Sequence, residues 1–150
     1  RSMAEIRRAG PDDAAAIAAL SREAYAKWVP VIGRAPKPMA ADYDVAVRAH
    51  LIDLLEMGRT LVALVECIQE PDHLLIENLA VAPGHQGQGH GRRLMAHVEA
   101  LARSLGLGEV RLYTNKLFAE NIAFYRKLGY RVDGESAFKG GFITHMSRKV

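Results

Sequence analysis

The stretch that most constrains this chain runs from residue 74 to residue 105. It begins as an apolar strand, Leu74-Leu75-Ile76-Glu77-Asn78-Leu79-Ala80-Val81. A Pro83-Gly84 turn follows, then Gln86-Gly87-Gln88-Gly89-His90-Gly91. Beyond it, Leu94, Met95, Val98, Leu101, Ala102 and Leu105 recur at the spacing of one helix face. Glycines permit positive φ and let a ligand come up to the backbone. The unpaired N–H groups of the first helical turn, backed by the helix dipole, favour an anion. The segment therefore predicts a site for a ligand that carries a pyrophosphate.

Two common phosphate motifs fail. The dinucleotide fingerprint G-x-G-x-x-G finds Gly87 and Gly89, but its third glycine is replaced by Arg92. A P-loop fails because no Gly-Lys-Ser/Thr follows. What fits is Gln86-x-x-Gly89-x-Gly91, with Leu79-Ala80-Val81-Ala82-Pro83 before it and Gly91-Arg92-Arg93-Leu94-Met95 after it. This pattern resembles the Q/R-x-x-G-x-G/A loop of the GNAT acetyltransferases. The resemblance implies that Gln86, Gly87, Gln88, Gly89, His90, Gly91 and Arg92 hold the pyrophosphate of coenzyme A. It also implies that backbone groups of Leu79, Ala80 and Val81 hold the pantetheine arm, where the strand splays from its neighbour. Arginines in a first helical turn oppose the dipole, and a bound polyphosphate reverses that penalty.

A second segment carries the same resemblance. Val110-Arg111-Leu112-Tyr113-Thr114-Asn115 reads as a short buried strand. Residues 119–128 read as a helix with Phe118, Ile122 and Tyr125 on one face. Gly129 ends it, and Tyr130-Arg131-Val132 starts another strand. The run from Asn121 through Phe124, Tyr125 and Gly129 to Tyr130 resembles the family's Asn…Tyr-x-x-x-Gly-Phe segment. By resemblance, Tyr125 is the general acid, and Phe124 and an asparagine help hold the cofactor. The family's asparagine usually stands seven residues before the tyrosine, where this chain has Phe118. Asn121 and Asn115 are the two that could take its place.

Bulk properties bound the rest. The chain has 150 residues, of which 49% are hydrophobic and 25% charged, which suits one soluble domain with a proper core. Residues 3–150 are expected to form it, with Arg1-Ser2 ahead of Met3 read as a cloning remnant. No apolar run is long enough to span a membrane, and no secretory signal is visible. The single cysteine, Cys67, sits in a strand-like run and reads as a small core residue. One cysteine suits a reducing compartment, so a cytoplasmic location is expected. The net charge of +3 is mild and spread along the chain. No nucleic-acid motif accompanies it, so no nucleic-acid partner is expected. The six histidines do not pair at metal-ligand spacing, so no metal is expected. His90 and His97 read as solvated.

Along the chain, Glu5-Ile6-Arg7-Arg8 is a short strand. Asp12 or Asp13 should cap a helix bearing Ile17, Leu20 and Tyr25, which ends near Trp28 because Pro30 cannot continue it. Residues 29–39 read as a loop, rich in proline yet carrying apolar side chains. Residues 41–48 form a second helix. Residues 50–57 could extend that helix, but Gly58-Arg59 favours a hairpin of residues 50–56 with 60–68. Phe142 to Arg148 is a last strand. The order is strand, two helices, three antiparallel strands, helix, strand, helix and two strands. That predicts an α+β fold, a mixed, mostly antiparallel sheet flanked by about four helices. It resembles the GNAT fold from end to end.

The resemblance implies an N-acetyltransferase that moves acetyl from acetyl-CoA, its cosubstrate, to a primary amine of a small molecule or protein. A homodimer is one assembly open to it. Tyr125 is then the acid, and Glu77 is the candidate base, on an apolar strand that could raise its pKa. A solvent-facing strand position is the plain alternative for Glu77, and a core aromatic with its hydroxyl at the surface is that for Tyr125. Trp28, Pro36, Met39 and Tyr43 could line an acceptor pocket or form a satellite core. Two other functions stay open: a non-catalytic acyl-CoA-binding or sensing module, and a basic nucleic-acid-binding domain.

Overall fold

Runs of buried residues, continuous in the second and third strands and alternating in the fourth, centre one sheet of seven strands. In chain order they are β1 (Ala4–Arg8), β2 (Leu51–Met57), β3 (Thr60–Gln69), β4 (Leu74–Val81), β5 (Glu109–Asn115), β6 (Arg131–Phe138) and β7 (Gly141–Lys149). The computed structural model describes residues 4–150. Arg1, Ser2 and Met3, and with them the expected cloning remnant and domain start, lie outside the described residues. The sheet order is β1-β2-β3-β4-β5-β7-β6. Every neighbouring pair is antiparallel except β4 and β5.

Four helices of seven residues or more flank the sheet: α1 (Ala14–Tyr25), α4 (Tyr43–Ala49), α5 (His90–Ser104) and α6 (Ala119–Lys127). Two single turns, α2 (Val29–Ile32) and α3 (Lys37–Ala40), lie between α1 and α4. The fold is thus the expected mixed, mostly antiparallel sheet with about four helices. On one face, Leu94, Met95, Val98 and Ala102 of α5 pack with Tyr125 of α6 on Leu55, Val65, Ile76, Val110 and Leu112. On the other, Ile17, Leu20 and Ala24 of α1 and Ala46 and Val47 of α4 cover Ile52, Leu54, Leu64 and Ala80. Fully burying one such Leu or Ile contributes about 1.5–3 kcal/mol. Cys67 is part of the first core.

Local details differ from the expected ones for identifiable reasons. Residues 29–39 are not one loop. Pro30 and Pro38 each sit in the first turn of a short helix, where a missing N–H costs nothing, and Gly33 stops α2 at φ 73°. Asp13 stands at the start of α1 without capping it. Its carboxylate instead takes Arg7 at 2.8 Å and the Gly10 N–H at 2.8 Å. Asp42 does cap α4, accepting from the N–H groups of Asp44 and Val45. The strand after Gly129 is longer than its apolar start suggested. It runs to Phe138 because β7 supplies a partner along its length. Among the described residues no helix is long and apolar enough to cross a membrane.

Two irregularities of β4 create a cleft in the sheet. Ile76 pairs with Cys67 and Asn78 with Glu66, so Glu77 is the extra residue of a bulge. The bulge shifts the alternation: Ile76 and Leu79 both face the α5 side, while Asn78 and Ala80 face α1. Parallel pairing with β5 is confined to Leu74, Leu75 and Ile76 against Val110, Arg111 and Leu112. Beyond Ile76 the two strands part, and the cleft opens between them.

Candidate active site

The glycine loop closes one end of this cleft. Gly87 has φ 75° and Gly89 has φ 83°, conformations that glycine adopts without strain. Gly89 is the residue before α5, and no side chain caps the helix. The first intrahelical bond runs from Arg93 N–H to the Gly89 carbonyl. The N–H groups of His90, Gly91 and Arg92 are therefore left for an external acceptor. Gly91 lies close under Phe124: a Cβ there would meet the ring at 3.4 Å. Helix α5 and helix α6 thus approach each other over a residue that must stay small.

Between the loop, β4 and α6 lies a cavity with about 820 Å³ of empty space, partly open to solvent. Of the expected cofactor residues, Leu79, Ala80, Val81, Gln86, Gly87, His90, Gly91, Asn121 and Phe124 line it. Gln88, Gly89 and Arg92 do not; Gln88 and Arg92 lie exposed on the rim. Arg93 is turned away, bonding the Ala4 carbonyl. The carbonyls of Leu79 and Val81 accept from Tyr25 Oη at 3.1 Å and Gln86 Nε2 at 3.2 Å. In a strand the N–H of a residue points the same way as its carbonyl. The N–H groups of Leu79 and Val81 therefore face the cleft, away from β3. His85 also lines this cavity, and its buried Nδ1 has no partner among the described residues.

A second cavity, about 660 Å³ of empty space, lies on the far side of α6's tyrosine, lined by β4, β5 and the residues around α3. Tyr25, Leu79, Asn121 and Tyr125 line both cavities and so form the partition between them. Asn121 and Tyr125 stand one helical turn apart, which puts them on the same side of α6. Of these two cavities Asn115 lines the second alone, and its Oδ1 is taken by the Leu117 N–H at 2.9 Å. Of the two asparagines, Asn121 is the one at the partition. Phe118 occupies the position where the family's asparagine was expected. It stacks on Trp28 with ring centroids 4.3 Å apart.

Tyr125 is 8% exposed and its ring belongs to the core on the α5 face. Phe124 and Tyr130 pack edge-on against it, at 5.2 and 6.1 Å between centroids. Burial pushes its phenol well above the ordinary value, so it keeps its proton throughout the neutral range.

Glu77 reaches into the second cavity because of the bulge. Its surroundings are not the apolar ones its strand suggested. Lys37 Nζ lies 2.7 Å from Oε1, the Tyr113 hydroxyl donates to the same oxygen at 2.7 Å, and Lys37 also donates to Tyr113 Oη at 3.1 Å. The bond to Glu77 raises the Lys37 pKa against the opposing effect of burial, so the ammonium stays charged. Asn78, 2% exposed, donates through Nδ2 to Ser21 Oγ and Tyr43 Oη, at 3.1 and 3.2 Å. Tyr43 in turn donates to the Pro38 carbonyl at 2.7 Å, and burial pushes its phenol up to about 12. This leaves Asn78 Oδ1 buried without a partner among the described residues, beside the cavity.

The four residues considered for an acceptor pocket separate. Pro36 lines the second cavity, Trp28 the first, and Tyr43, the first residue of α4, is in the core. Met39 lines neither of the two. His97 is not simply solvated. Its Nε2 lies 2.8 Å from Asp53 Oδ2, and Arg8 Nε lies 2.6 Å from Oδ1. Burial alone would push the Asp53 carboxyl up, but those two bonds outweigh it and hold the carboxyl below its ordinary range. This network is centred on β2, two strands from β4 and outside the cleft. Among the described residues no group of three or more His, Cys, Asp and Glu is placed to share a metal ion.

Sequence reading missed Tyr25, Arg34, Lys37, Tyr113 and Phe138, all in the walls of the second cavity. Only Arg34 and Lys37 had a signal, the apolar and proline-punctuated stretch that contains them.

This arrangement matches a known family. The model of the acetyltransferase (GNAT) family covers residues 17–130, and the chain belongs to that family, one of acyltransferases. Streptothricin acetyltransferase of Streptomyces lavendulae is 43% identical over 61 residues, which is 41% of this chain and 32% of that protein. N-alpha-acetyltransferase 80 of Mus musculus is 38% identical over 69 residues, 46% of this chain and 21% of that protein. The chain thus matches a third or less of the length of either relative. The crystal structure of PaiA N-acetyltransferase from Thermoplasma acidophilum in complex with coenzyme A superposes with a TM-score of 0.80. It covers 99% of both chains at 21% identity, a likeness of fold.

Proposed function

We propose that this protein transfers the acetyl group of acetyl-CoA to a primary amine. The observation that carries this reading is the partition. One cleft holds two cavities, and a proton-bearing phenol, Tyr125, stands between them with Asn121. The first cavity, ending at an uncapped glycine helix start, suits the pyrophosphate and pantetheine of the donor. The second, with a carboxylate and a buried unpaired carbonyl oxygen, suits the amine.

The chemistry follows from the residues. The amine enters as an ammonium and must lose a proton before it can attack. Glu77 takes that proton, either directly or through a water, once the acceptor displaces Lys37 from its carboxylate. Asn78 Oδ1 accepts a hydrogen bond from the nitrogen. The nitrogen lone pair forms the new C–N bond at the thioester carbonyl. The N–H groups of Leu79 and Val81 stabilise the negative charge on that oxygen. The C–S bond then breaks, its electrons leave with sulfur, and Tyr125 protonates the thiolate. Lys37 is itself a poor acceptor here, because Glu77 holds it charged.

A binding or sensing module would need the first cavity and nothing of the second. Free-thiol release from acetyl-CoA across a broad amine library tests the proposal. Amine-dependent release, with acetylated amine found by mass spectrometry, is the expected result. Tight CoA binding with no acetylation of any amine or peptide would overturn it in favour of the module.

A further inference from the structure

The second cavity carries more positive charge than an amine site needs. Lys37 is neutralised by Glu77, the only carboxylate on its walls among the described residues. Arg34 is not neutralised. It is half-buried, it has no carboxylate partner among the described residues, and its one hydrogen bond there is a long one of 3.5 Å to the Ala35 carbonyl. Its guanidinium stands over the Phe138 ring at 5.6 Å, a contact that steadies the group without cancelling its charge. The same arginine lines an outer hollow that continues from the cavity, together with Lys116 and Lys139. Lys116 is paired with Glu135, but Lys139 meets the Phe138 ring, at 5.3 Å, and no carboxylate among the described residues.

Lys139 adds an independent observation. It sits in the tight turn between β6 and β7 with φ 48°, followed by Gly140 with φ 78°. Hairpins of this kind favour asparagine, aspartate or glycine at the first of these positions, because other side chains are strained there. A lysine at that place costs stability and adds a cation beside Arg34. A plain cationic amine approaching the cavity would be repelled by this mouth. An acceptor with an anionic group beside its amine would be drawn in and oriented, because a guanidinium fork matches a carboxylate. The phosphates of a cofactor do not account for the charge, because Arg34 is absent from the walls of the glycine-loop cavity.

We propose that the acceptor is an amine that also carries a carboxylate, and that Arg34, with Lys139, binds this carboxylate at the mouth while the amine faces Glu77. This rests on the transferase reading above. The carboxylate could belong to a free amino acid or to an acidic residue near the amino end of a peptide. The test uses matched pairs and measures kcat/KM on the full chain with acetyl-CoA. Lysine and ornithine are compared with lysine amide, cadaverine and putrescine. Short peptides with acidic residues after a free amino end are compared with their amide counterparts.

A preference of about 10- to 100-fold for the carboxylate member of at least one pair is expected, the range of a charge-assisted bond. The arm in which it occurs identifies the source. Arg34→Gln should reduce the preference to near unity through KM, with CoA affinity unchanged, and Arg34→Lys should keep part of it. Lys139→Asn relieves the turn, so its melting temperature should hold or rise while the preference shrinks. That combination rules out misfolding as the cause. Equal or better turnover of the uncharged or purely cationic members, or a preference unaltered in Arg34→Gln, would overturn the proposal while leaving the transferase reading intact. Tight CoA binding with no acetylation of any amine would overturn both.

Discussion

Replacing Tyr125 by phenylalanine removes one oxygen from the partition and changes little else. The ring packs against Phe124 and Tyr130, and phenylalanine keeps those contacts. Among the described residues nothing accepts a hydrogen bond from the hydroxyl, although the side chain is only 8% exposed. The hydroxyl is not among the fully buried unpaired polar atoms, so its removal should change stability by no more than about 1 kcal/mol. For a domain of this size that is a shift in melting temperature of at most about 4 °C. The loss should fall on catalysis. A thiolate is a tolerable leaving group in water, so protonation helps without being indispensable. The expected fall in kcat is about 100-fold, or about 2.7 kcal/mol in the barrier. Because burial raises the phenol's pKa, wild type and variant should differ by a constant factor from pH 7 to pH 9. Any alkaline limb due to Tyr125 should lie above its ordinary value of 10.0. Thiol release in saturating acceptor, with a melting curve of the same preparation, measures both quantities. A folded Phe variant with kcat within about twofold of wild type across this range would refute the reasoning, and water would be the proton source.

Three further outcomes rest on the geometry. Gly89→Val forces a branched side chain to φ 83° where space is open, so the damage is to the backbone and costs about 1–2 kcal/mol locally. Calorimetry should show CoA affinity down at least about tenfold in a folded protein, and unchanged affinity would count against the loop as the phosphate site. Glu77→Gln keeps the shape and the Tyr113 contact but removes the base; kcat should fall about 10²- to 10³-fold. A change in acceptor KM alone would make Glu77 a positioning residue. Asp53→Asn leaves Arg8 and His97 without their carboxylate and should cost about 1–3 kcal/mol, the partners being partly exposed. The folded Asp53 carboxyl lies below its ordinary range, so its contribution is complete above about pH 4 and is lost as pH falls through the lower folded value. Urea titrations from pH 5 to pH 2 should therefore show a smaller acid loss in the Asn variant than in wild type.

What the chain declares openly is what its backbone does locally. Gly87 and Gly89 take positive φ, and the apolar periodicity from Leu94 onward is a helix, so the glycine-loop end of the cleft is legible in six residues. The sheet is legible for the same reason, since the continuous apolar run of β3 and the alternating burial of β4 need no distant partner to be seen. The cleft itself is not. It exists because β4 pairs with β5 over only three residues and because Glu77 bulges, and both are outcomes of register between segments far apart in the chain. Glu77 therefore read as an alternating strand position with apolar neighbours, when the bulge hands it to Lys37 and Tyr113. His97 and Asp53 are 44 residues apart, and nothing in either neighbourhood announces the pair.

The same reasoning separates the two cavities by how they are built. The glycine-loop cavity uses backbone N–H groups and small residues, whose requirements leave a mark on composition: a side chain at Gly91 would press on Phe124. The second cavity and its mouth use side chains from the stretch around α3, from the bulge and from the β6–β7 turn, each placed by a different element. Replacing Arg34 or Lys139 would leave both cores untouched, since neither belongs to them. Selection for folding alone gives no reason to keep a half-buried, unneutralised guanidinium or a lysine at positive φ. Their presence beside the same phenylalanine is best explained by what enters the cavity, and it is there that substitutions should alter acceptor choice without altering the donor.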